Sequence, residues 1–112
     1  RTSAFQTAAD ILSVTNLLNG PNPFNPSAES TTIQFELAKQ ADISLYIYSL
    51  SGQRLWTKEI SQANTIIGMN TIDWNGKDQS GQYAPNGMVV LYFIAKNETK
   101  TIKRKLKIGV LR

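Results

Sequence analysis

Apolar and polar residues alternate with a period of two along most of the chain, which is the pattern of β-strands with one buried face. The clearest run is Thr31–Leu37, where Ile33, Phe35 and Leu37 share one side. The same alternation in residues 43–48 separates three aliphatic residues from Tyr46 and Tyr48. Further strands are predicted over residues 11–18, 54–60, 71–74, 88–95 and 99–110, and residues 62–70 are expected to form a short strand or an irregular crossing.

Two of these segments carry information about their place in a sheet. Residues 88–95 are apolar on both faces, which predicts a central strand covered on both sides. Residues 99–110 place Ile102, Leu106, Ile108 and Val110 on one side and lysines on the other. A lysine-rich strand is typical of a sheet edge, because charge discourages pairing with other chains.

Turn-forming residues separate the segments at nearly regular spacing, notably at residues 51–53, 75–81 and 97–98. No amphipathic helix is evident. About seven short strands with this spacing predict two packed antiparallel sheets, that is, an all-β sandwich. Residues 1–10 show no clear period and are predicted to be a linker or a disordered leader, with the sandwich domain at residues 11–112.

Composition excludes several kinds of chemistry. The 112 residues suffice for one domain, and they include no cysteine and no histidine. Disulfides, thiolate metal sites and histidine-based catalysis are therefore excluded within this chain. The eight Asp and Glu residues are scattered singly, so we expect no acid–base pair, no enzyme activity and no cofactor. The sequence contains no apolar stretch long enough for a membrane span.

Four short motifs follow one another in the chain: PNPFNP at residues 21–26, IYSLSGQR at 47–54, DWNGKDQSG at 73–81 and NG at 86–87. In this order they resemble the immunoglobulin-like domain of the flagellar hook-capping protein and the related C-terminal sorting domains of type IX secretion. The resemblance covers residues 17–112 and implies an immunoglobulin/fibronectin-III-like sandwich. Gly20, where sorting domains usually carry an aromatic residue, departs from their pattern.

The resemblance implies a non-catalytic C-terminal module of an exported bacterial protein, secreted or displayed on the cell surface after passing through the periplasm. Such a module acts in secretion sorting, docking or surface assembly. Its partner would be a secretion or assembly component, or the adjacent domain of the parent protein. We expect the partner to contact the basic last strand and the proline-rich segment, through Lys103, Lys105, Lys107, Pro23 and Phe24. Phe24 is also expected to pin its loop onto the core.

Two other functions stay open at this stage. Tyr46, Tyr48 and Trp56 could form an aromatic platform for sugar rings, as in a carbohydrate-binding accessory domain. The chain could also be a passive structural spacer without a ligand. Nucleic acid is not expected as a partner, because no aromatic residue interleaves with the lysines of the last strand. Trp74 is predicted to be a core residue, since it shares a face with Ile72.

The segment DWNGKDQSG is the best candidate for a metal site. Asp73, Asn75 and Asp78 offer the oxygen ligands that calcium prefers. The spacing of an EF-hand fails, because Lys77 occupies a ligand position and Ala84 stands where an acidic residue should close the loop. We therefore predict a turn in which Asp73 and Asp78 accept backbone amides, and no bound metal.

Overall fold

Seven antiparallel β-strands form two sheets in residues 11–112, the residues that the computed structural model describes. The predicted linker or leader at residues 1–10 lies outside the described residues. The strands are β1 (Val14–Gly20), β2 (Thr31–Leu37), β3 (Asp42–Ser49), β4 (Arg54–Ile60), β5 (Gly68–Trp74), β6 (Gly87–Lys96) and β7 (Thr101–Val110). A 3₁₀ turn at Gln62–Asn64 precedes β5, so the ambiguous region 62–70 contains both a short helix and the start of a strand.

The strand order is β1-β2-β5 in the first sheet and β4-β3-β6-β7 in the second. Every paired strand runs antiparallel to its neighbour. The predicted all-β sandwich of seven antiparallel strands, of the immunoglobulin/fibronectin-III-like class, is confirmed. In constant-type immunoglobulin domains the fourth strand joins the sheet of the first, second and fifth strands, whereas here β4 pairs with β3.

The core lies between the inner faces of the two sheets, as alternation predicts. Phe35 of β2 and Phe93 of β6 meet across the sandwich, with ring centroids 4.9 Å apart in an edge-to-face arrangement. At one end of the core, the buried side chain of Trp74 packs against Phe24, and their ring centroids are 5.7 Å apart. The predicted core position of Trp74 is therefore confirmed.

β1 begins and ends later than predicted. It starts at Val14, although Leu12 before it is already fully buried, and it continues to Gly20. The strand contains a bulge at which Asn16 adopts a left-handed φ of 55°, a conformation that asparagine tolerates better than most residues. The Asn16 side chain donates a 2.8 Å hydrogen bond to Glu36 Oε1 on β2.

The segment PNPFNP, called the proline loop below (residues 21–26), is attached to the free edge of β7. The Phe24 amide donates to the Gly109 carbonyl at 3.0 Å, and the Leu111 amide donates to the Phe24 carbonyl at 2.9 Å. Asn22 extends this pairing with its side chain, which donates to the Lys107 carbonyl and accepts from the Gly109 amide. An asparagine amide thus substitutes for a strand backbone between two prolines, which lack an amide proton.

Gly109 allows the proline loop to approach β7 this closely. A Cβ atom at Gly109 would lie 2.8 Å from Pro23 Cβ and 3.3 Å from Pro23 Cα. The loop is also tied to the first sheet, because Thr31 Oγ1 donates to the Pro21 carbonyl at 2.8 Å and accepts from the buried Asn19 amide at 2.9 Å. The loop therefore bridges the two sheets at one end of the sandwich.

Candidate partner-binding face

The outer face of the four-stranded sheet carries an open group of aromatic, aliphatic and basic side chains. We call it the tyrosine–lysine face, and it consists of Tyr46, Tyr48, Val90, Tyr92, Ile94, Lys103, Lys105 and Lys107. None of the elements in residues 11–112 is packed over it: every other strand belongs to the first sheet, on the opposite side, or to β4. The prediction that β6 is covered on both faces is therefore wrong. Its inner residues are buried, but Tyr92 is 37% exposed.

Strand register brings the tyrosines and lysines together. In the antiparallel ladder, residues directly opposite each other project from the same face of the sheet. Tyr46 of β3 lies opposite Tyr92 of β6, which lies opposite Lys105 of β7. In the two neighbouring rows a residue of β6, here aliphatic, again lies between a β3 residue and a lysine of β7. These rows are Tyr48–Val90–Lys107 and Ser44–Ile94–Lys103. The lysines of β7 and the tyrosines of β3 therefore flank the central strand β6.

Two of the aromatic rings on this face do not share a plane. The rings of Tyr48 and Tyr92 are perpendicular, with an interplanar angle of 89° and centroids 5.4 Å apart. The Lys105 ammonium nitrogen lies 5.5 Å from the centroid of the Tyr92 ring, within the range of a cation–π interaction. Tyr92 is therefore contacted by both an aromatic ring and a cation.

A groove of about 640 Å³ runs along the face between β3 and β6. Its lining includes the three tyrosines, Val90, Ile94 and Leu50. Leu50 is 72% exposed at the turn between β3 and β4, where it closes one end of the groove. The groove is thus mainly apolar, with the tyrosine hydroxyls and Ser49 among its polar groups.

Charge is unevenly distributed around this groove. Lys103, Lys105 and Lys107 form one side, and Arg54, opposite Tyr48 on β4, adds a cation at one end. Acidic residues occur at the other end, where Glu59 lies opposite Ser44. The face as a whole is basic and favours an anionic partner.

Trp56 is not part of the tyrosine–lysine face. A bulge in β4 shifts the register, so Trp56 lies opposite the buried residue Ile47 and not beside Tyr46 or Tyr48. The Trp56 ring packs towards the core against Trp74, with centroids 6.1 Å apart. The third aromatic residue beside Tyr46 and Tyr48 is therefore Tyr92 and not Trp56, which the sequence had predicted. Tyr92 lies opposite Tyr46 because of the register between β3 and β6, which alternation alone does not reveal.

The two proline-loop candidates differ in accessibility. Phe24 is only 1% exposed, so its side chain pins the loop to the core, as predicted, and cannot contact a partner in this fold. Pro23 is exposed and packs on Gly109 of β7. The preceding residue, Asn22, donates to the Lys107 carbonyl, so Pro23 lies near the tyrosine–lysine face.

The residues of the candidate metal loop are engaged in local hydrogen bonds. Asp73 Oδ1 accepts from the Thr32 hydroxyl on β2, and Asn75 Oδ1 accepts from the Lys77 amide. Asp78 Oδ1 accepts from the Ser80 hydroxyl at 2.7 Å and from two backbone amides of its own loop. Within residues 11–112 no group of three or more acidic residues is placed to hold a metal ion. The predicted Asx-type turn is thus confirmed for Asp78. For Asp73 the prediction is wrong, because its carboxylate accepts from a side-chain hydroxyl and not from a backbone amide.

Hydrogen bonds from the Ser80 hydroxyl and the Gln82 amide hold the pKa of Asp78 below its ordinary value of 3.8. A carboxyl group whose pKa is lowered by folding stabilises the fold above its ordinary pKa, and this contribution disappears as the pH falls through the folded value. We expect Asp78→Asn, which cannot ionise, to be less stable than the wild type at pH 7, with a difference that shrinks below about pH 4. Urea denaturation between pH 2 and pH 7 measures this. A difference that stays constant down to pH 2 would contradict the prediction.

Comparison with known proteins identifies similar folds but shows no family for this chain. No protein-family model matches the sequence, and no curated protein matches it. Among solved structures, dimeric latent PorU from Porphyromonas gingivalis aligns with a TM-score of 0.68 and 16% identity, over 90% of this chain and 9% of PorU. FlgD from P. aeruginosa aligns with a TM-score of 0.59 and 18% identity, over 73% of this chain and 63% of FlgD.

A third structure is PorZ, an essential bacterial surface component of the type-IX secretion system of Porphyromonas gingivalis. It aligns with a TM-score of 0.52 and 21% identity, over 92% of this chain and 12% of PorZ. The chain thus spans only a small part of PorU and PorZ. The resemblance drawn from the motifs is confirmed at the level of the fold, since the same sandwich occurs in FlgD, PorU and PorZ. Within residues 11–112, no helix has the length and apolar character needed to span a bilayer.

Proposed function

We propose that this chain is a non-catalytic module of an exported bacterial protein, and that its tyrosine–lysine face docks on a protein component of a secretion or surface assembly. The observation that carries the proposal is the open face itself, which combines tyrosines, aliphatic side chains and a basic border on one side of the sandwich. The occurrence of the same fold in a surface component of type IX secretion supports the cellular context.

The composition of the face resembles that of protein interfaces. Tyrosine is enriched among the residues that contribute most to binding, and interfaces combine an apolar centre with a polar or charged border. Here Val90, Tyr92 and Ile94 occupy the centre, and the lysines of β7 form the border. These features support docking over a purely passive spacer, whose outer faces would need no such apolar groove.

Charge reversal tests this proposal without removing the strand. Truncation after Arg104 would be uninformative, because Ile108 and Val110 are buried core residues. We expect K103E/K105E/K107E to reduce secretion of a fused reporter at least five-fold in a bacterium with type IX secretion, while the domain stays folded. The control K39E/K58E/K100E changes the net charge equally at positions outside the face.

Cell fractionation with immunoblotting locates the reporter, and circular dichroism of both purified variants verifies folding. The proposal requires the control to be secreted like the wild type. Equal secretion of the two triple variants and the wild type would refute a docking role of these lysines. A passive spacer would give that same result.

A further inference from the structure

We infer that the partner presents an extended acidic segment, which lies along β6 with alternate side chains directed to the two sides of the tyrosine–lysine face. Its apolar side chains would enter the groove between β3 and β6, and its Asp or Glu side chains would meet the lysines of β7. The inference rests on the proposed function, since it specifies the partner of the same face.

The groove provides the apolar half of this recognition. Val90 and Ile94 form an aliphatic floor beside Tyr46 and Tyr48. Apolar side chains that enter it remove both surfaces from water, which favours binding. The tyrosine hydroxyls can meet the polar backbone of a bound segment, so the groove suits side chains carried on a peptide.

The lysines provide the charged half, with a matching repeat. Lys103, Lys105 and Lys107 are two residues apart in a strand that rises about 3.3 Å per residue, so they repeat about every 6.6 Å. Alternate side chains of an extended segment repeat at the same distance, because they share one side of the backbone. A segment with an acidic residue at every second position can therefore face all three lysines at once.

Addition of the segment as a new strand at the edge of β7 is disfavoured by what already occupies that edge. The proline loop engages the Lys107 carbonyl and both polar backbone groups of Gly109. Farther along, Arg104 Nη1 donates to the Lys103 carbonyl at 3.0 Å. The first part of the edge, from Thr101 to Lys105, is not covered by the loop, so backbone pairing is open only there. A segment that faces all three lysines, including Lys107, must therefore be held mainly through side chains on the face.

A polysaccharide fits the face less well than a peptide. Sugar rings stack on exposed, flat aromatic faces, but the Tyr48 and Tyr92 rings stand perpendicular to each other. The Lys105 ammonium group also lies over Tyr92. The aliphatic floor would leave sugar hydroxyl groups without partners, and burying such groups is unfavourable.

The test uses the 112-residue chain and three eight-residue peptides that alternate Leu with Glu, Leu with Lys, or Ser with Glu. We expect the Leu/Glu peptide to shift amide resonances of β6 and β7 in ¹H–¹⁵N NMR spectra. Its affinity should fall at least ten-fold in K103E/K105E/K107E and should be unchanged in K39E/K58E/K100E. The Leu/Lys peptide should not bind, and the Ser/Glu peptide should bind at least five-fold more weakly.

Three results would overturn the inference. One is the absence of shifts with the Leu/Glu peptide. Another is equal affinity for the Leu/Glu and Ser/Glu peptides, which would mean that binding depends on charge alone and not on the apolar groove. The third is binding of polygalacturonate in place of the peptide, which would make the ligand an anionic glycan. The reporter experiment is read separately. If secretion depends on the lysines but the peptide does not bind, the docking function stands and the acidic segment is wrong.

Discussion

Replacing Phe24 with alanine is expected to lower the free energy of unfolding by about 3–5 kcal/mol, the range for removing a large buried aromatic side chain. Phe24 is only 1% exposed and packs against Trp74, so its loss leaves a cavity at the end of the core. The backbone bonds between the proline loop and β7 remain possible in the variant. The decrease in the free energy of unfolding therefore reports the contribution of the Phe24 side chain, which anchors the loop.

Chemical denaturation followed by tryptophan fluorescence provides the measurement, with the free energy obtained by linear extrapolation. Ile67→Ala is the control, because Ile67 is 65% exposed and its truncation is expected to change stability by no more than about 0.5 kcal/mol. If Phe24→Ala lost no more stability than the control, Phe24 would not anchor the loop to the core, and the proposed packing would be wrong.

Gly76→Ala is expected to destabilise the domain by about 3 kcal/mol through two separate effects. Gly76 has a left-handed φ of 80°, which costs a residue with a Cβ atom about 1–2 kcal/mol. A Cβ atom here would also lie 2.3 Å from Pro26 Cβ and 3.1 Å from Phe24 Cζ. Overpacking of this kind adds about 1–3 kcal/mol.

Gly52→Ala separates the two effects. Gly52 has a similar φ of 93°, but a Cβ atom there would meet nothing within 4 Å. We expect this control to lose only the conformational part, about 1–2 kcal/mol. Denaturation of both variants in parallel gives the difference, which reports contact with the proline loop. Equal losses would show that Pro26 does not pack on Gly76 as described.

The sequence was sufficient to predict the strands because most of them have one buried face. The alternation in β2 and β3 sets their bounds almost to the residue, since every second side chain enters the core. β1 was placed less well. Its bulge at Asn16 interrupts the alternation, and the buried residue Leu12 lies before the strand.

The candidate site was only partly predictable, because it depends on pairing between distant strands. Tyr46, Tyr48 and the lysines of β7 were each identified as candidates, but for two different functions. These residues lie on one face because of the register of β3 with β6 and of β6 with β7, and no local sequence pattern specifies that register. The sequence also could not show the bulge that turns Trp56 inwards.

Gly76 and Gly109 illustrate another limit. Both look like ordinary turn or strand glycines in the sequence, yet each is a point of close approach by the proline loop. Such contacts join residues at least fifty positions apart, so they follow from the tertiary structure and not from local propensity.

The attachment of the proline loop to β7 has a consequence for solubility. An unpaired strand edge is a template on which other chains can add, and proteins that expose one are prone to edge-to-edge aggregation. Asn22 and Phe24 occupy this template along the last part of β7, and the lysines repel other basic strands along the rest. Release of the loop would uncover the carbonyls of Lys107 and Gly109 together. Opening of the proline loop would therefore lengthen the unpaired edge of β7 on which another chain can add.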